Sequence, residues 1–303
     1  MDVCFIKTGK AYLPEIYAYS DYLSRKGLST VIVESEAEAK KINASLYYRV
    51  GGLLTKKIRK NKPEIHEYHT VSIGRFSMMK NLMKSVLCVK PDYLSFLTPF
   101  VESKYSFSRH IPRFYRDMGA TSQLLEQREL QQDKQFDICY FGSLSTRNKL
   151  VDTLLSLAEQ GFSLVVGGVA TRSDKLRLQQ NERITFLGEC DREKVYYYLS
   201  QSRFGLNYMP NEYPLTQQTS TKVIEYLVAG LPILSNTYPW ITQHSQQLGY
   251  SYIELPQSNS ISLPKNSFQP KYRISLNSAR ALTWDAILEH CQFEKIIRQC
   301  IGK

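Results

Sequence analysis

The chain has 303 residues, 43% hydrophobic and 22% charged, which is the composition of a folded globular protein and excludes disordered and fibrous classes. At about 100 to 200 residues per domain the length favours two domains. No apolar run approaches the roughly 18 residues of a membrane-spanning helix, and the start is too short in apolar residues for a signal peptide, so we expect a cytoplasmic protein.

The first 35 residues predict the opening of a β-α-β unit, with a strand VCFI, a helix through IYAYSDYLSRKG and a second strand STVIVE. The loop after the first strand contains Gly9, which permits close approach of a ligand to the backbone. Glu15 opens the helix after this loop. We therefore predict that Gly9 binds an acceptor, that is, a substrate with a reactive hydroxyl, and that Glu15 is a general base. A helix-capping role explains Glu15 equally well.

A basic run follows at residues 53–62, LLTKKIRKNK. Residues 1–130 hold 21 Lys and Arg against 13 Asp and Glu, which is a net charge of +8. Most of the net charge of +11 of the whole chain therefore lies in its first part. The run suits an anionic membrane surface or a phosphate-bearing acceptor, and the alternative is a solvated helix face. We do not expect nucleic acid as a partner, because no nucleic-acid-binding motif accompanies the charge. The cations concerned are Lys56, Lys57, Arg59 and Lys60.

Residues 36–110 have a weaker period, with strands predicted near EIHEYHTVSI and DYLSFLTPF. His69 lies near the end of the first of these strands, where an imidazole can contact acceptor hydroxyls; a structural histidine is the alternative. The polar residues 118–135 predict a linker. We therefore predict an N-terminal domain at 1–130 and a C-terminal domain at 131–303, ending in a helix near 278–300.

Beyond the linker, strands alternate with helices, which predicts a parallel sheet. In such sheets ligands bind at the carboxyl ends of the strands. The segment DICYFGSLSTRNKLVD, residues 137–152, supplies a strand, a Gly-Ser turn and a helix, and later strands end near Gly188 and Tyr208. Solvated helix-start charges and ordinary turn or core positions are the alternatives. The residues expected to border a ligand are Gly142, Ser143, Arg147, Lys149, Gly188 and Tyr208.

The segment NEYPLTQQTSTKVIEYLVAGLPILSN, residues 211–236, is the most informative. Ser220 and Thr221 stand at a predicted helix start, where free backbone N–H groups and the positive end of the helix dipole bind anions. Lys222 and Glu225 share one helix face, so that the lysine can neutralise a diphosphate while the carboxylate accepts hydrogen bonds from a ribose. The alternative is an ordinary surface ion pair.

These segments resemble the donor-binding region of GT-B glycosyltransferases, in particular the bacterial retaining family whose signature has two glutamates eight residues apart. Glu225 matches the second glutamate, which holds the ribose in that family, and AGLPIL matches the turn that follows it. Gln217 replaces the first glutamate, which in the family lies near the donor sugar and its phosphates. The resemblance implies an α/β fold of two Rossmann-like domains facing across a cleft, with the C-terminal helix crossing back.

The resemblance also implies a hexosyltransferase that moves a sugar from a nucleotide diphosphate sugar to a surface-glycan or lipid-linked acceptor, as in capsule or lipopolysaccharide assembly. In similar transferases an Arg and a Lys bind the diphosphate, a role that here falls to Arg147 and Lys149. UDP-sugars are expected ahead of GDP-sugars.

No Asp-x-Asp pair occurs in the chain, and its six cysteines lack metal-ligand spacing. We therefore expect a reaction without a metal or other cofactor, in which Arg147 and Lys222 stabilise the leaving nucleoside diphosphate. Two alternatives remain on the same fold: a nucleotide-sugar epimerase or phosphorylase, and a catalytically inactive binding partner, which Gln217 favours.

Overall fold

The computed structural model describes residues 1–7, 13–72, 74, 76–128, 134–145, 147, 149–255, 261–264 and 269–302. The chain divides into two compact units. The first contains Met1–Gly119 and Trp284–Lys303, and the second contains Ala120–Thr283. Within the described ranges, none of the helices is both long enough and apolar enough to span a membrane.

The first unit is a six-stranded parallel sheet with the strand order β2-β1-β3-β4-β5-β6 and flanking helices. Its elements are β1 Val3–Ile6, α1 Pro14–Arg25, β2 Thr30–Val33, α2 Glu36–Lys41, β3 Leu46–Val50, β4 Glu64–Tyr68, α3 Ser77–Leu87, β5 Tyr93–Phe96, α4 Pro99–Glu102 and β6 Arg113–Tyr115. The terminal helices α12 Trp284–His290 and α13 Phe293–Ile301 belong to the same unit.

Helix α1 illustrates how the sequence determines these elements. Pro14 occupies its first turn, where the missing N–H costs nothing, and Ile16, Tyr19 and Leu23 recur at helical spacing and are buried. Tyr19 also packs against the terminal segment, because its ring centroid lies 4.8 Å from that of Phe293 in α13. The buried side of α1 therefore packs against both the sheet and the end of the chain.

The second unit repeats the plan, with the strand order β12-β11-β10-β7-β8-β9 and parallel pairing throughout. Its elements are α5 Gln123–Gln127, β7 Phe136–Phe141, α6 Leu150–Glu159, β8 Leu164–Gly167, α7 Arg172–Gln179, β9 Ile184–Gly188, α8 Arg192–Ser200, β10 Ser202–Asn207, α9 Thr221–Val228, β11 Ile233–Ser235, α10 Pro239–Leu248, β12 Ile253–Glu254 and α11 Leu276–Ala281. Short 3₁₀ helices occupy Leu215–Gln217 and Pro270–Tyr272.

Each sheet has a point at which the strand order reverses. In the second unit the chain proceeds from β7 outwards to β9 and then returns to β10 on the other side of β7. At such switch points the loops that leave neighbouring strands diverge, and ligands of α/β proteins bind in the opening. The β7/β10 junction is therefore the position at which the fold itself favours a binding site.

The predicted α/β fold with two Rossmann-like units is confirmed, while the division of the chain differs from the predicted one. The chain enters the second unit at Ala120 rather than at 131, and the terminal helices belong to the first unit rather than the second. The single helix expected near 278–300 is three helices, because Gln292 adopts a left-handed conformation (φ +56°) between α12 and α13 and Thr283 separates α11 from α12.

Candidate active site

Three neighbouring strands of the second sheet end in glycines with positive φ. Gly142 follows β7 with φ +147°, Gly168 follows β8 with φ +141°, and Gly188 ends β9 with φ +71°. A Cβ at Gly168 would overlap the carbonyl oxygen of Gly142, so only glycine allows these two backbones to pack together. At Gly188 a Cβ would meet nothing within 4 Å. We call these three residues the strand-end glycines; they form an edge of backbone that a ligand can approach closely.

Lys222 lies directly over the first of the strand-end glycines. A Cβ at Gly142 would come within 2.7 Å of Cε and 2.9 Å of Nζ of this lysine. The ammonium also lies 5.2 Å from the ring centroid of Tyr140, the last-but-one residue of β7. Burial and the nearby Arg147 lower the pKa of Lys222 to about 7, and the attraction of Glu225 only partly opposes them. An anion bound here would therefore raise the pKa of Lys222 and stabilise its charged form.

The start of helix α9 lies at the same switch point. Ser220 is its N-cap residue, but the hydroxyl makes no capping bond and is donated instead to Oδ1 of Asn207 at 2.8 Å. Asn207, the last residue of β10, in turn donates to the hydroxyls of Ser235 at 2.8 Å and Tyr238 at 3.0 Å. This buried network holds the helix start against β10. It also leaves the first N–H groups of α9, beginning at Thr221, without the usual side-chain acceptor.

Arg147 connects the loop after β7 with the end of β10. Its Nη1 donates to the carbonyl oxygen of Tyr208 at 2.5 Å and lies 3.7 Å from the sulfur of Met209. The guanidinium is therefore positioned at the switch point, near enough to Lys222 to contribute to the depression of its pKa. Two predicted residues from different parts of the sequence, Arg147 and Tyr208, are thus brought together.

Lys149 and Ser143 have other surroundings. Lys149 is exposed, adopts a left-handed conformation (φ +63°) and precedes α6. It borders an open groove of about 450 Å³ in which Arg177 pairs with Asp152 at 2.6 Å. Ser143 is half-buried, with its hydroxyl 3.4 Å from that of Ser145. The groove is lined by Leu144, Ser145, Arg147, Lys149, Val151, Asp152, Asp174 and Arg177.

Glu225 is half-buried one turn into α9 from Lys222. Burial raises the pKa of its carboxyl despite the opposing charges of Lys222 and Arg192. Gln217 ends the short 3₁₀ helix before α9 and is half-buried. Its neighbour Gln218 is the more enclosed of the two, and its amide nitrogen is buried without a hydrogen-bond partner among the described residues.

The first unit contains a buried cluster around His69, just beyond the end of β4. Nδ1 of His69 lies 3.1 Å from Oε1 of Glu15, and Nε2 contacts the carboxylate of Glu67. Burial alone would lower the pKa of His69, but the charges of Glu67 and Glu15 outweigh it and raise the pKa. His69 therefore lies between two carboxylates, and the two residues predicted separately as base and acceptor contact form one pair.

Glu67 is the centre of this cluster. It forms an ion pair with Arg116 and accepts hydrogen bonds from Tyr19 at 3.2 Å, from Ser95 at 3.0 Å and from Tyr48. Oxygen or nitrogen atoms of Glu15, Glu67 and His69 lie within 4.8 Å of one another, a spacing that a metal ion can bridge. Arg116 Nη2, however, lies 2.7 Å from Nε2 of His69. The guanidinium of Arg116 thus already occupies the position beside Glu67 and His69 where a metal ion would lie.

The other predicted residues of the first unit have simpler outcomes. Gly9 lies outside the described residues. The basic run does not form a helix, so its interpretation as a solvated helix face is wrong. Lys57 pairs with Asp92 at 3.4 Å and Arg59 donates to the carbonyl of Lys40 at 2.9 Å, whereas Lys56 and Lys60 are exposed.

Sequence reasoning missed several residues of these two clusters. Gly168 had a signal, since it is the second glycine at the end of the predicted strand SLVVGG. Glu67 and Arg116 had none, because a charged residue in or beside a short strand ordinarily predicts an exposed position. Asn207 likewise gives no sign in the sequence that it organises the start of α9.

Comparison with known proteins supports the fold. No protein-family model matches the chain. A GDP-Man:Man(3)GlcNAc(2)-PP-Dol alpha-1,2-mannosyltransferase of Candida glabrata is 33% identical over 87 residues, a match that covers 26% of this chain and 16% of that enzyme.

Among solved structures, AviGT4, a glycosyltransferase involved in avilamycin A biosynthesis, aligns with a TM-score of 0.65 at 11% identity, covering 100% of this chain and 98% of that one. Anabaena HepE in complex with UDP aligns with a TM-score of 0.56 at 11% identity and the same coverage. The chain thus has a two-unit GT-B fold like that of the glycosyltransferase AviGT4.

Proposed function

We propose that the protein is a glycosyltransferase that moves a sugar from a nucleoside diphosphate to an acceptor. The observation that carries the proposal is the position of Lys222, whose ammonium lies against Gly142 at the switch point of the second sheet, beside the uncapped start of α9. A diphosphate needs a cation and free N–H donors at one place, and this arrangement supplies both.

The remaining residues of this cluster suit the other parts of a donor. Glu225 lies one helical turn from the phosphate position, where its carboxylate can accept hydrogen bonds from ribose hydroxyls. The open space at Gly188 suits the base, and the end of β10 at Tyr208 suits the sugar. The unpartnered amide of Gln218 would gain about 1–3 kcal/mol from a sugar hydroxyl, and Gln217 precedes it on the same segment.

The chemical difficulty of the reaction is the charge that develops on the leaving diphosphate. Arg147 is held by its hydrogen bond to Tyr208, and Lys222 lies against Gly142, so both cations are close to the proposed phosphate position before the ligand arrives. Loss of one such donor costs about 2.7–4 kcal/mol in comparable sites, or a hundredfold or more in rate. We propose that these cations act without a metal ion. Lys149 is exposed, and in this proposal it meets only the outer part of the donor.

The acceptor side of the proposal concerns the first unit. His69 and Glu15 form a coupled pair at the carboxyl end of the first sheet, so we propose that they orient an acceptor hydroxyl, with Glu15 receiving its proton if the reaction inverts. Gly9 precedes the same helix in the sequence. A hexose as the transferred sugar and UDP as the preferred nucleotide are part of the proposal; the UDP complex of HepE supports the nucleotide.

A glycan or lipid-linked acceptor, as in capsule or lipopolysaccharide assembly, completes the proposal. The exposed Lys56 and Lys60 of the basic run, with Lys57 and Arg59 beside them, suit an anionic membrane surface from which such an acceptor is reached. A cytoplasmic setting follows from this proposal and stays part of it.

The proposal is tested by calorimetry of UDP, GDP and their hexose conjugates in the presence of EDTA. Lys222→Ala and Glu225→Ala should each weaken one nucleotide at least about tenfold, since each removes a charge-assisted hydrogen bond. Lys175→Ala, which removes an exposed cation of α7, is the matched control and should bind like the wild type. Nucleotide binding that is indifferent to Lys222 and Glu225 would remove the basis of the proposal.

An acceptor-free assay separates the alternatives on the same fold. A transferase should hydrolyse its sugar nucleotide only slowly without acceptor, whereas an epimerase would interconvert it at full rate. A chain that binds no nucleoside diphosphate at all would be an inactive binding partner.

A further inference from the structure

Helix α3 of the first unit presents its apolar side to solvent. Met78 is 86% exposed and Val86 is 70% exposed, and the preceding Phe76 is 59% exposed. Together with Phe76 this helix accounts for nearly half of the large exposed hydrophobic side chains among the described residues. We call its exposed apolar residues the outer face of α3: Met78, Met79, Leu82, Met83, Val86 and Leu87.

The inner side of α3 is polar and is held by hydrogen bonds. Asn81 is buried and accepts a bond from the backbone N–H of Ser72 at 3.0 Å. Lys84 donates to the hydroxyl of Ser72 at 3.2 Å, and Ser85 accepts from the N–H of Ser106 at 2.8 Å. These bonds fix the rotation of the helix about its axis. These hydrogen bonds therefore determine that the apolar side of α3 faces outwards.

Such an arrangement is costly unless something covers the outer face. An amphipathic helix ordinarily buries its apolar side, and each large side chain left in water forgoes about 1.5–3 kcal/mol of burial. Contiguous apolar surface of this kind marks a contact with a protein or with a membrane.

The charges around the outer face indicate which partner fits. Lys80 is exposed on α3, and no Asp or Glu occurs between Glu67 and Asp92 in the sequence. The C-terminal end of the helix contacts the basic run, since the N–H of Leu54 lies 3.2 Å from the sulfur of Cys88 and Val89 donates to the carbonyl of Leu54 at 2.8 Å.

Leu53, beside that contact, is 49% exposed, and Lys56 follows it. The apolar surface is thus extended by a leucine and bordered by cations. A second copy of the chain would bring two such cationic borders together, which disfavours a symmetric dimer. Anionic lipid headgroups around an apolar layer match both features.

We propose that α3 is a membrane-docking helix whose outer face enters the boundary between headgroups and acyl chains of an anionic bilayer, while Lys80 and the basic run bind the headgroups. The helix has 11 residues and is therefore about 16 Å long, too short to span a hydrocarbon core of about 30 Å, so it lies in the plane of the surface. The inference rests on the part of the proposed function that places the acceptor at a membrane, and it names the segment that inserts.

The test is co-sedimentation of the full chain with phosphatidylcholine vesicles, with and without added phosphatidylglycerol. The outer-face variant Met78→Gln/Leu82→Gln/Val86→Gln keeps good helix formers at exposed positions. We expect the wild type to bind the anionic vesicles and the variant to partition at least about tenfold less. Leu176→Gln, which replaces an exposed leucine of α7 in the second unit, should bind like the wild type.

Several outcomes would overturn the inference. One is that the wild type does not sediment with anionic vesicles, and another is that the outer-face variant binds them as well as the wild type. A third is that the wild type is a dimer in solution and that the variant is a monomer. Calorimetry with UDP on the same preparations separates the two proposals. Vesicle binding without nucleotide binding would refute the proposed function and leave the role of α3 intact, and the reverse result would refute the role of α3 alone.

Discussion

Replacement of Gly142 by alanine tests the link between backbone geometry and donor binding most directly. The new Cβ would lie 2.7 Å from Cε and 2.9 Å from Nζ of Lys222, so the end of the lysine side chain must move away from Gly142 and from the place where we propose that the diphosphate binds. Losing a hydrogen bond to a charged group costs about 1.5–3 kcal/mol, which corresponds to roughly 10- to 150-fold weaker binding. We expect this loss for UDP in calorimetry.

The control for this experiment is Gly161→Ala. Gly161 also has a positive φ, +96°, but a Cβ there would meet nothing within 4 Å. Both variants should lose about 1–3 kcal/mol of unfolding free energy through backbone strain, measured by urea denaturation. Only Gly142→Ala should lose UDP affinity. Equal affinity in Gly142→Ala and the wild type, or an equal loss in Gly161→Ala, would refute the proposed contact between Lys222 and the donor.

Four further results are expected. Because the pKa of Lys222 is lowered to about 7 and a bound diphosphate raises it, UDP affinity should fall by up to about tenfold per pH unit above pH 7, and calorimetry of Lys222→Met should show no such slope. The pKa of His69 is raised, so its ion pairs stabilise the fold fully below the unfolded value near 6.5 and are lost as the pH rises; His69→Gln should cost about 3–5 kcal/mol in urea unfolding at pH 6 and less at pH 9. Burial lowers the pKa of His66, so the cost of His66→Gln should shrink as the pH falls below 6.5, and the same dependence in both variants would contradict the two environments. Phe293 is fully buried, so Phe293→Ala should cost about 3–5 kcal/mol, and an unchanged thermal midpoint would contradict the packing of α13.

Much of the second unit could be predicted from sequence because its signals are local. Strands and helices alternate with clear periods, and Lys222 and Glu225 share a helix face at a spacing that needs no tertiary information. The contact of Lys222 with Gly142 could not be predicted, since it joins residues far apart in the sequence. Ser220 shows the same limit: its type and position predict a capping hydroxyl, yet Asn207 binds it.

The first unit was harder to predict for a different reason. Glu67 and Arg116 carry charge in or beside short strands, where exposure is the ordinary expectation, but they form an ion pair with each other inside the unit. Helix α3 has an apolar period that normally indicates a core-facing side. Its actual orientation depends on the contacts of Asn81, Lys84 and Ser85 with loops that no sequence window includes.

The return of the terminal helices to the first unit has a consequence for biosynthesis. The ribosome completes Met1–Gly119 long before it makes Phe293, whose ring packs against Tyr19 and Tyr48. Until then those aromatic rings lack their contact with Phe293, whereas the second unit is already continuous in sequence. The part of the chain that emerges first is therefore expected to finish folding last, and a cut between the units would release no intact N-terminal domain.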